Sequence, residues 1–179
     1  MKSLKQYSIP FTGLKIGQHQ FDFEVDGRFF DEFEYSLVKD GLLKVSLLLE
    51  KRETLMVLNF DIKGSIQLSC DKCLANFPYQ VDTKDRLIAK FTESDEMADS
   101  EEVIIITKNE SEVDVSTFIY EIINLAVPYL SICENPGNTP ACDLEMLNKI
   151  KELSISNDQE VENKQEDPRW DALKNIRKN

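Results

Sequence analysis

The sequence predicts an α+β fold, in which an antiparallel, strand-rich sheet carries one main amphipathic helix packed on it, followed by a tethered C-terminal helix. Two changes of pattern lead to this prediction. From the start to about residue 91 apolar and polar residues alternate, which is typical of strands with one face on a core. After residue 113 apolar residues recur every three or four positions, which is typical of a helix. With 179 residues and 41% hydrophobic content, the chain can bury a core of its own.

The alternation defines the predicted strands one by one. It covers residues 19–25, 43–49, 60–68, 77–81 and 87–91, and the apolar run 103–106 predicts a further buried strand. Turn-like breaks at Asp40-Gly41, at residues 51–53 and at Gly64 indicate antiparallel connections. Residues 27–33 fit either a short helix or a strand, and the acid-rich segment 93–102 is typical of a solvated loop.

Helical spacing begins at Val115 and continues to Tyr129, with Asp114 placed to cap the first turn and Pro128 placed to end the helix. Residues 133–142 are rich in Pro, Gly and Asn and predict a loop, and Asp143 begins a second helix that reaches Leu153. The predicted organisation is therefore one α+β domain over residues 1–153, a flexible acidic linker over 154–167, and a short C-terminal helix over 168–179.

Charge and hydropathy limit the classes of function. The formal net charge is −12 and the isoelectric point is about 4.6, which argues against binding nucleic acid through a broad basic face. No apolar run approaches the length of a membrane span, and the first residues lack the continuous apolar stretch of a secretion signal. We therefore expect a cytoplasmic protein that does not enter membranes.

Four cysteines make the strongest chemical signal in the chain. Cys70 and Cys73 are separated by two residues, the spacing with which one turn presents two thiolates to a metal, and Cys133 and Cys142 would complete a tetrahedral set. A structural zinc ion held by these four residues is the predicted cofactor. Two alternatives remain open: some of the cysteines are merely small buried apolar residues, or Cys70 and Cys73 act as a thiol-dependent oxidoreductase.

We predict no catalytic residues, because His19 is the one histidine and the chain has no glycine-rich phosphate loop, nucleophile elbow or paired-histidine motif. The C-terminal segment offers a binding surface instead. Its Trp170 either anchors the segment to the core or belongs to a recognition motif for a partner or RNA. That predicted motif consists of Arg169, Trp170, Leu173, Lys174 and Arg177, and Lys84, Arg86 and Lys90 form a second basic candidate.

The order of these features resembles the YceD family, the large ribosomal RNA subunit accumulation proteins. The resemblance is carried by three segments: Ser69-Cys70-Asp71-Lys72-Cys73-Leu74, then Val113-Asp114-Val115 with Glu121 and Leu125-Ala126-Val127-Pro128, and finally Asp167-Pro168-Arg169-Trp170 with Leu173. Members that carry a second closely spaced cysteine pair differ from this chain, in which eight residues separate Cys133 from Cys142.

The resemblance implies a bacterial, non-enzymatic factor that supports the accumulation or processing of large-subunit ribosomal RNA. It implies ribosome assembly proteins, and possibly the large-subunit ribosomal RNA precursor, as partners, and no small-molecule substrate. It also implies that Cys133 and Cys142 complete the metal site begun by the first cysteine pair.

Overall fold

The computed structural model describes residues 4–92, 103–107, 109–135 and 142–154. Within these residues a mixed sheet is accompanied by short helices, which confirms the α+β class. The elements are a 3₁₀ turn at Leu4–Tyr7, β1 (Ser8–Pro10), β2 (Gly17–Val25), α1 (Gly27–Asp31), β3 (Gly41–Lys51), β4 (Leu55–Ser69), β5 (Asn76–Thr92), β6 (Val103–Thr107), β7 (Glu112–Asp114), α2 (Ser116–Leu125) and α3 (Leu144–Leu153).

The main sheet has the strand order β2-β3-β4-β5-β6. The pairs from β2 to β5 are antiparallel, as the alternation predicts. The edge strand β6 runs parallel to β5, a pairing that the short apolar run alone did not reveal. A separate two-stranded antiparallel ribbon joins β1 to β7, so the start of the chain lies beside the strand that leads into α2.

One face of the main sheet forms the core. On β3 and β4 the alternate apolar residues are buried, and the residues between them are largely polar. Helix α2 packs on this face through Phe118, whose ring centroid lies 5.1 Å from that of Phe60. The prediction of an amphipathic helix on the sheet is thus confirmed, and Asp114 Oδ1 accepts a hydrogen bond from the Ser116 amide at 2.8 Å at the start of that helix.

The ambiguous segment after β2 is helical. Asp26 accepts a hydrogen bond from the Arg28 amide at 3.0 Å and so caps α1, which buries Phe29 and Phe30. An Asp cap followed by two adjacent aromatic residues is as compatible with a helical turn as with a strand end, so the periodicity could not distinguish them.

The turn predicted at Gly64 was wrong. Gly64 lies inside β4, which continues without a break from Leu55 to Ser69, and pairs with Leu43 of β3. The glycine is needed for close approach rather than for a turn, because a Cβ atom at this position would lie 2.2 Å from the Leu42 carbonyl oxygen. Its φ of +154° is also a backbone angle that residues other than glycine rarely adopt.

Residue contacts divide the chain into two units, residues 1–143 and residues 144–179. Helix α3 belongs to the second unit and matches the helix predicted from Asp143 onward. The predicted linker and the predicted C-terminal helix lie outside the described residues, so the proposed domain organisation stays a prediction. Among the helices of the described residues, no helix is both long enough and apolar enough to cross a membrane.

Candidate metal centre

The first cysteine pair lies in the turn between the two longest strands. Strand β4 ends at Ser69 and β5 begins at Asn76, so the predicted hairpin tip is present. Within the turn the Cys70 amide donates to the Ala75 carbonyl and the Leu74 amide donates to the Cys70 carbonyl, both at 2.9 Å. The Lys72 amide points at Cys70 Sγ from 3.4 Å. An amide directed at the first sulfur favours the thiolate form that a metal requires.

Leu74 gives this turn its unusual backbone. Its φ is +63°, in the left-handed region, and it is the one non-glycine residue with positive φ in the described part of the chain. A leucine there costs roughly 1–2 kcal/mol. Strain of this kind concentrates at functional sites, where the surrounding contacts enforce it.

A second segment is fastened to the turn by two polar links. The Asp71 amide donates to the Ser131 carbonyl at 2.8 Å, and Asp71 Oδ2 accepts from the Ser131 amide at 2.7 Å. Beside them, the exposed Lys72 ammonium pairs with Glu134 at 2.9 Å. The reciprocal backbone and side-chain bonds of Asp71 place Cys133 against the turn, although 60 residues separate Cys73 from Cys133.

Three cysteines meet as a result. The Sγ atoms of Cys70, Cys73 and Cys133 all lie within 4.8 Å of one another, and all three residues are buried. The sulfurs of Cys73 and Cys133 are 3.8 Å apart. In a tetrahedral site with zinc–sulfur bonds of about 2.3 Å the sulfurs are separated by roughly 3.8 Å, so this pair already has the spacing of two zinc ligands.

Cys142 is close to one member of the group but does not belong to the mutual cluster. Its Sγ lies 2.7 Å from that of Cys133, and 3.4 Å from a Glu134 carboxylate oxygen. Two ligands of one zinc ion would be roughly 1 Å farther apart than Cys133 and Cys142 are here. Cys142 could therefore serve as the fourth ligand only after its side chain moves away from Cys133.

The cysteine thiols differ in the direction in which their surroundings shift the pKa. Burial raises the pKa of the Cys70 thiol, but hydrogen bonds from the backbone of Cys133, Cys73 and Lys72 outweigh it and lower that pKa to about 6. The hydrogen bond from Cys142 lowers the pKa of Cys133, yet burial and the neighbouring sulfurs raise it above its ordinary value. The pKa of Cys142 is strongly raised by the Cys133 sulfur, by burial and by Glu134. When neighbouring sulfurs such as these are deprotonated, their negative charges repel one another. A bound cation would offset this repulsion.

The donor set fits zinc. Three buried sulfurs and a fourth thiol nearby match the preference of zinc for four thiolates, and the Lys72 amide directed at Cys70 supplies the hydrogen bonding that usually surrounds such ligands. A shell of four thiolates would leave no coordination position for water. Its chemistry therefore suits a metal that holds the fold together rather than one that activates water.

The structure does not describe the other residues of the predicted site. The predicted C-terminal motif, Arg169 with Trp170, Leu173, Lys174 and Arg177, lies outside the described residues. Sequence reasoning missed Asp71 and Ser131, which bring the two cysteine segments together. Asp71 stands inside the cysteine pair, but nothing local indicates that it binds residue 131, because the partner is distant in sequence.

A family model described as "Large ribosomal RNA subunit accumulation protein YceD" matches residues 58–177. The match covers about two thirds of the chain and includes all four cysteines. The chain belongs to the YceD family. Comparison with curated proteins and with solved structures gives no significant match.

Within this YceD protein, the match begins in β4 and contains the cysteine turn, α2 and α3. Strands β2 and β3 precede it. The described part of the matched region thus includes the metal-type cluster and the helix that leads the chain to Cys133, so the cluster is part of the family region rather than an addition to it.

Proposed function

We propose that this YceD protein is a non-enzymatic, cytoplasmic factor for biogenesis of the large ribosomal subunit, and that a zinc ion bound by its cysteines stabilises it. The family match supports a role in accumulation of large-subunit ribosomal RNA. The single observation that carries the zinc proposal is the buried trio of Cys70, Cys73 and Cys133. Zinc would stabilise the fold by joining the β4–β5 turn to the segment after α2.

The proposed partners are ribosome assembly proteins, and the large-subunit RNA precursor is a second proposed partner. The net charge of −12 favours contact through protein, because an acidic chain gains little from phosphate neutralisation. The C-terminal residues Arg169, Trp170, Leu173, Lys174 and Arg177 remain the proposed motif for RNA or a partner, since they combine local positive charge with apolar side chains.

Zinc content tests the metal part. We expect about one zinc ion per chain in protein purified without added metal, and loss of that zinc in Cys70→Ser and Cys133→Ser. Ser69→Ala, next to the first ligand, is the matched control and should keep it. Cys142→Ser separates the two possible ligand sets, because a site formed by the other three sulfurs alone keeps its zinc, whereas a site that needs Cys142 loses it. Metal-free wild-type protein would refute the proposal.

Depletion of the chain in cells tests the biogenesis part. We expect the ratio of large-subunit to small-subunit ribosomal RNA to fall on depletion and to recover with the wild-type chain. Crosslinking and purification of the tagged chain should recover large-subunit precursor RNA with assembly proteins. An unchanged RNA ratio together with the absence of both partners would overturn the proposed role.

A thiol-dependent oxidoreductase is the second candidate, because the lowered pKa of Cys70 gives it thiolate character near neutral pH. The burial of Cys70 and Cys73 opposes it, since a protein disulfide could not reach either sulfur. Reduction of a disulfide substrate by the wild-type chain, abolished in Cys70→Ser, would favour this candidate; inertness of the chain would exclude it.

A further inference from the structure

A groove of about 690 Å³ lies between α2, strand β5 and the loop that follows α1. Six of its lining residues are aromatic or aliphatic: Tyr35, Leu37, Phe118, Tyr120, Ile122 and Leu125. Three of these are unusually open to solvent, with exposed fractions of 87% for Tyr35, 77% for Leu37 and 82% for Leu125. Apolar side chains concentrated at one open groove are typical of a surface that binds another molecule.

The groove lies where the core layer of the sheet is interrupted, near the middle of β5. Along β5 the alternation puts Asp85 on the same face as the buried Leu87 and Ala89, and Asp85 pairs with Phe60 of β4. At this position a covered sheet would carry an apolar residue, but Asp85 is exposed. The core face of the sheet is therefore open here and carries a carboxylate.

The charged side chains that line the groove have a net negative charge. Asp85 and Glu121 supply carboxylates, whereas Arg86 is the one cation among the lining residues. Asn124 donates its amide nitrogen to the Tyr120 carbonyl at 2.8 Å, and its Oδ1 is buried without a hydrogen-bond donor among the residues that the structure describes. A buried acceptor without a donor destabilises the chain by about 1–3 kcal/mol.

We propose that this groove docks a basic segment of a protein partner, with one large apolar side chain among the leucines and tyrosines and lysine or arginine side chains beside Asp85 and Glu121. The two carboxylates complement ammonium and guanidinium groups, and they disfavour the phosphates of RNA. The inference rests on the proposed function, because it supplies the protein contact by which an acidic factor would join an RNA-rich particle.

A defined probe tests the site in the full-length chain. The probe is a labelled synthetic peptide of about 14 residues that places leucines at i and i+4 among lysines, and its counterpart replaces the lysines with glutamates. Binding is followed by fluorescence anisotropy. Glu121→Lys is compared with Glu24→Lys, which makes the same change of charge on β2, and Leu125→Lys is compared with Leu42→Lys, at another exposed leucine.

We expect the lysine peptide to bind the wild-type chain, and Glu121→Lys or Leu125→Lys to weaken binding at least about tenfold. Glu24→Lys and Leu42→Lys should weaken it less than about threefold, and the glutamate peptide should not bind. Equal losses in the groove and control variants would overturn the proposal. Competition by single-stranded RNA would assign the groove to RNA, self-association lost in Leu125→Lys would assign it to a second copy, and tighter binding in Trp170→Ala would assign it to this chain's own C-terminal segment.

Recovery of precursor particles from cells separates this inference from the proposed function. If the wild-type chain recovers large-subunit precursors and Leu125→Lys recovers at most about a tenth as much, the groove is supported as the partner site. Equal recovery by both chains would overturn the groove while the biogenesis role stands. Absence of precursors with the wild-type chain would overturn the biogenesis role, and the peptide measurements would then decide the groove alone.

Discussion

Replacing Gly64 by alanine should destabilise the protein strongly, although the change adds only one methyl group. The added Cβ would lie 2.2 Å from the Leu42 carbonyl oxygen and 2.6 Å from the Leu43 Cα, and both are backbone atoms that cannot rotate away. The backbone φ of +154° is also nearly restricted to glycine. Strands β3 and β4 must separate, or β4 must change its conformation.

Two costs contribute to the expected magnitude. An alanine held in a glycine-only backbone conformation costs about 1–3 kcal/mol. Overpacking against an immobile neighbour costs another 1–3 kcal/mol or so. Together they predict a loss of roughly 2–6 kcal/mol from a total that is typically about 5–15 kcal/mol. With a urea m-value near 2 kcal/mol/M, the unfolding midpoint should fall by roughly 1–3 M.

Urea unfolding followed by far-ultraviolet circular dichroism measures this loss. Gly13→Ala is the matched control, because a Cβ there would meet nothing within 4 Å. Its free energy of unfolding should stay within about 1 kcal/mol of that of the wild-type chain. Similar unfolding midpoints for Gly64→Ala and Gly13→Ala would show that β3 and β4 do not approach each other as described. The result bears on the metal centre too, since β4 leads directly to Cys70.

Three further predictions concern the cysteine turn. Leu74→Gly should raise the free energy of unfolding by about 1 kcal/mol in thermal or urea denaturation, because glycine adopts the positive φ without strain, and a loss of stability would contradict this reading. Asp71→Ala should weaken zinc binding about tenfold in a competition assay with a chromophoric chelator, since it removes the side-chain bond to the Ser131 amide and leaves only the backbone bond. Lys72→Ala removes only an exposed ion pair and should weaken zinc binding far less. Equal effects of the two changes would count against the role of Asp71. In metal-free protein the thiolate absorbance of Cys70 should titrate near pH 6, and this titration should be absent in Cys70→Ser. This pKa lies below the ordinary value of 9.0, so the Cys70 thiolate stabilises the fold fully above about pH 9. The stabilisation declines as the pH falls and is lost below about pH 6. A titration midpoint near pH 9 would refute the lowered pKa of Cys70.

The sequence predicted most of the fold because alternation and helical spacing are local signals. Strands β2 to β5, helix α2 and the buried position of Cys70 all follow from residues within one element. Gly64 misled the prediction, because a glycine that permits close strand approach looks the same in sequence as one that makes a turn. The parallel pairing of β6 likewise depends on the path of the chain before it, which periodicity does not encode.

The candidate site was predictable in its chemistry but not in its assembly. The spacing of Cys70 and Cys73 indicates a metal turn by itself. Whether Cys133 reaches that turn depends on the contact between Asp71 and Ser131. No local sequence pattern indicates this contact, because the two residues are distant in sequence. The eight residues between Cys133 and Cys142 gave no guide to the position of the fourth sulfur, and the structure leaves Cys142 beside one cysteine rather than among three.

The outer face of the sheet carries several cations, some of which are already paired with carboxylates. Lys84 lies 3.2 Å from Asp61, and Lys63 lies near both Asp61 and Asp82. The Lys84 ammonium also lowers the pKa of Asp61, so this carboxylate stays charged and remains beside the lysine. A lysine that already faces a carboxylate contributes little to RNA binding, because its charge is partly neutralised beforehand. Few counterions are then released from the RNA when the lysine meets a phosphate. Of the basic sheet residues considered from sequence, Lys84 is thus poorly suited to RNA. Under the proposed function, protein contacts would supply part of the affinity for a ribosomal precursor, and the groove beside α2, with its two carboxylates, has chemistry that matches a basic partner.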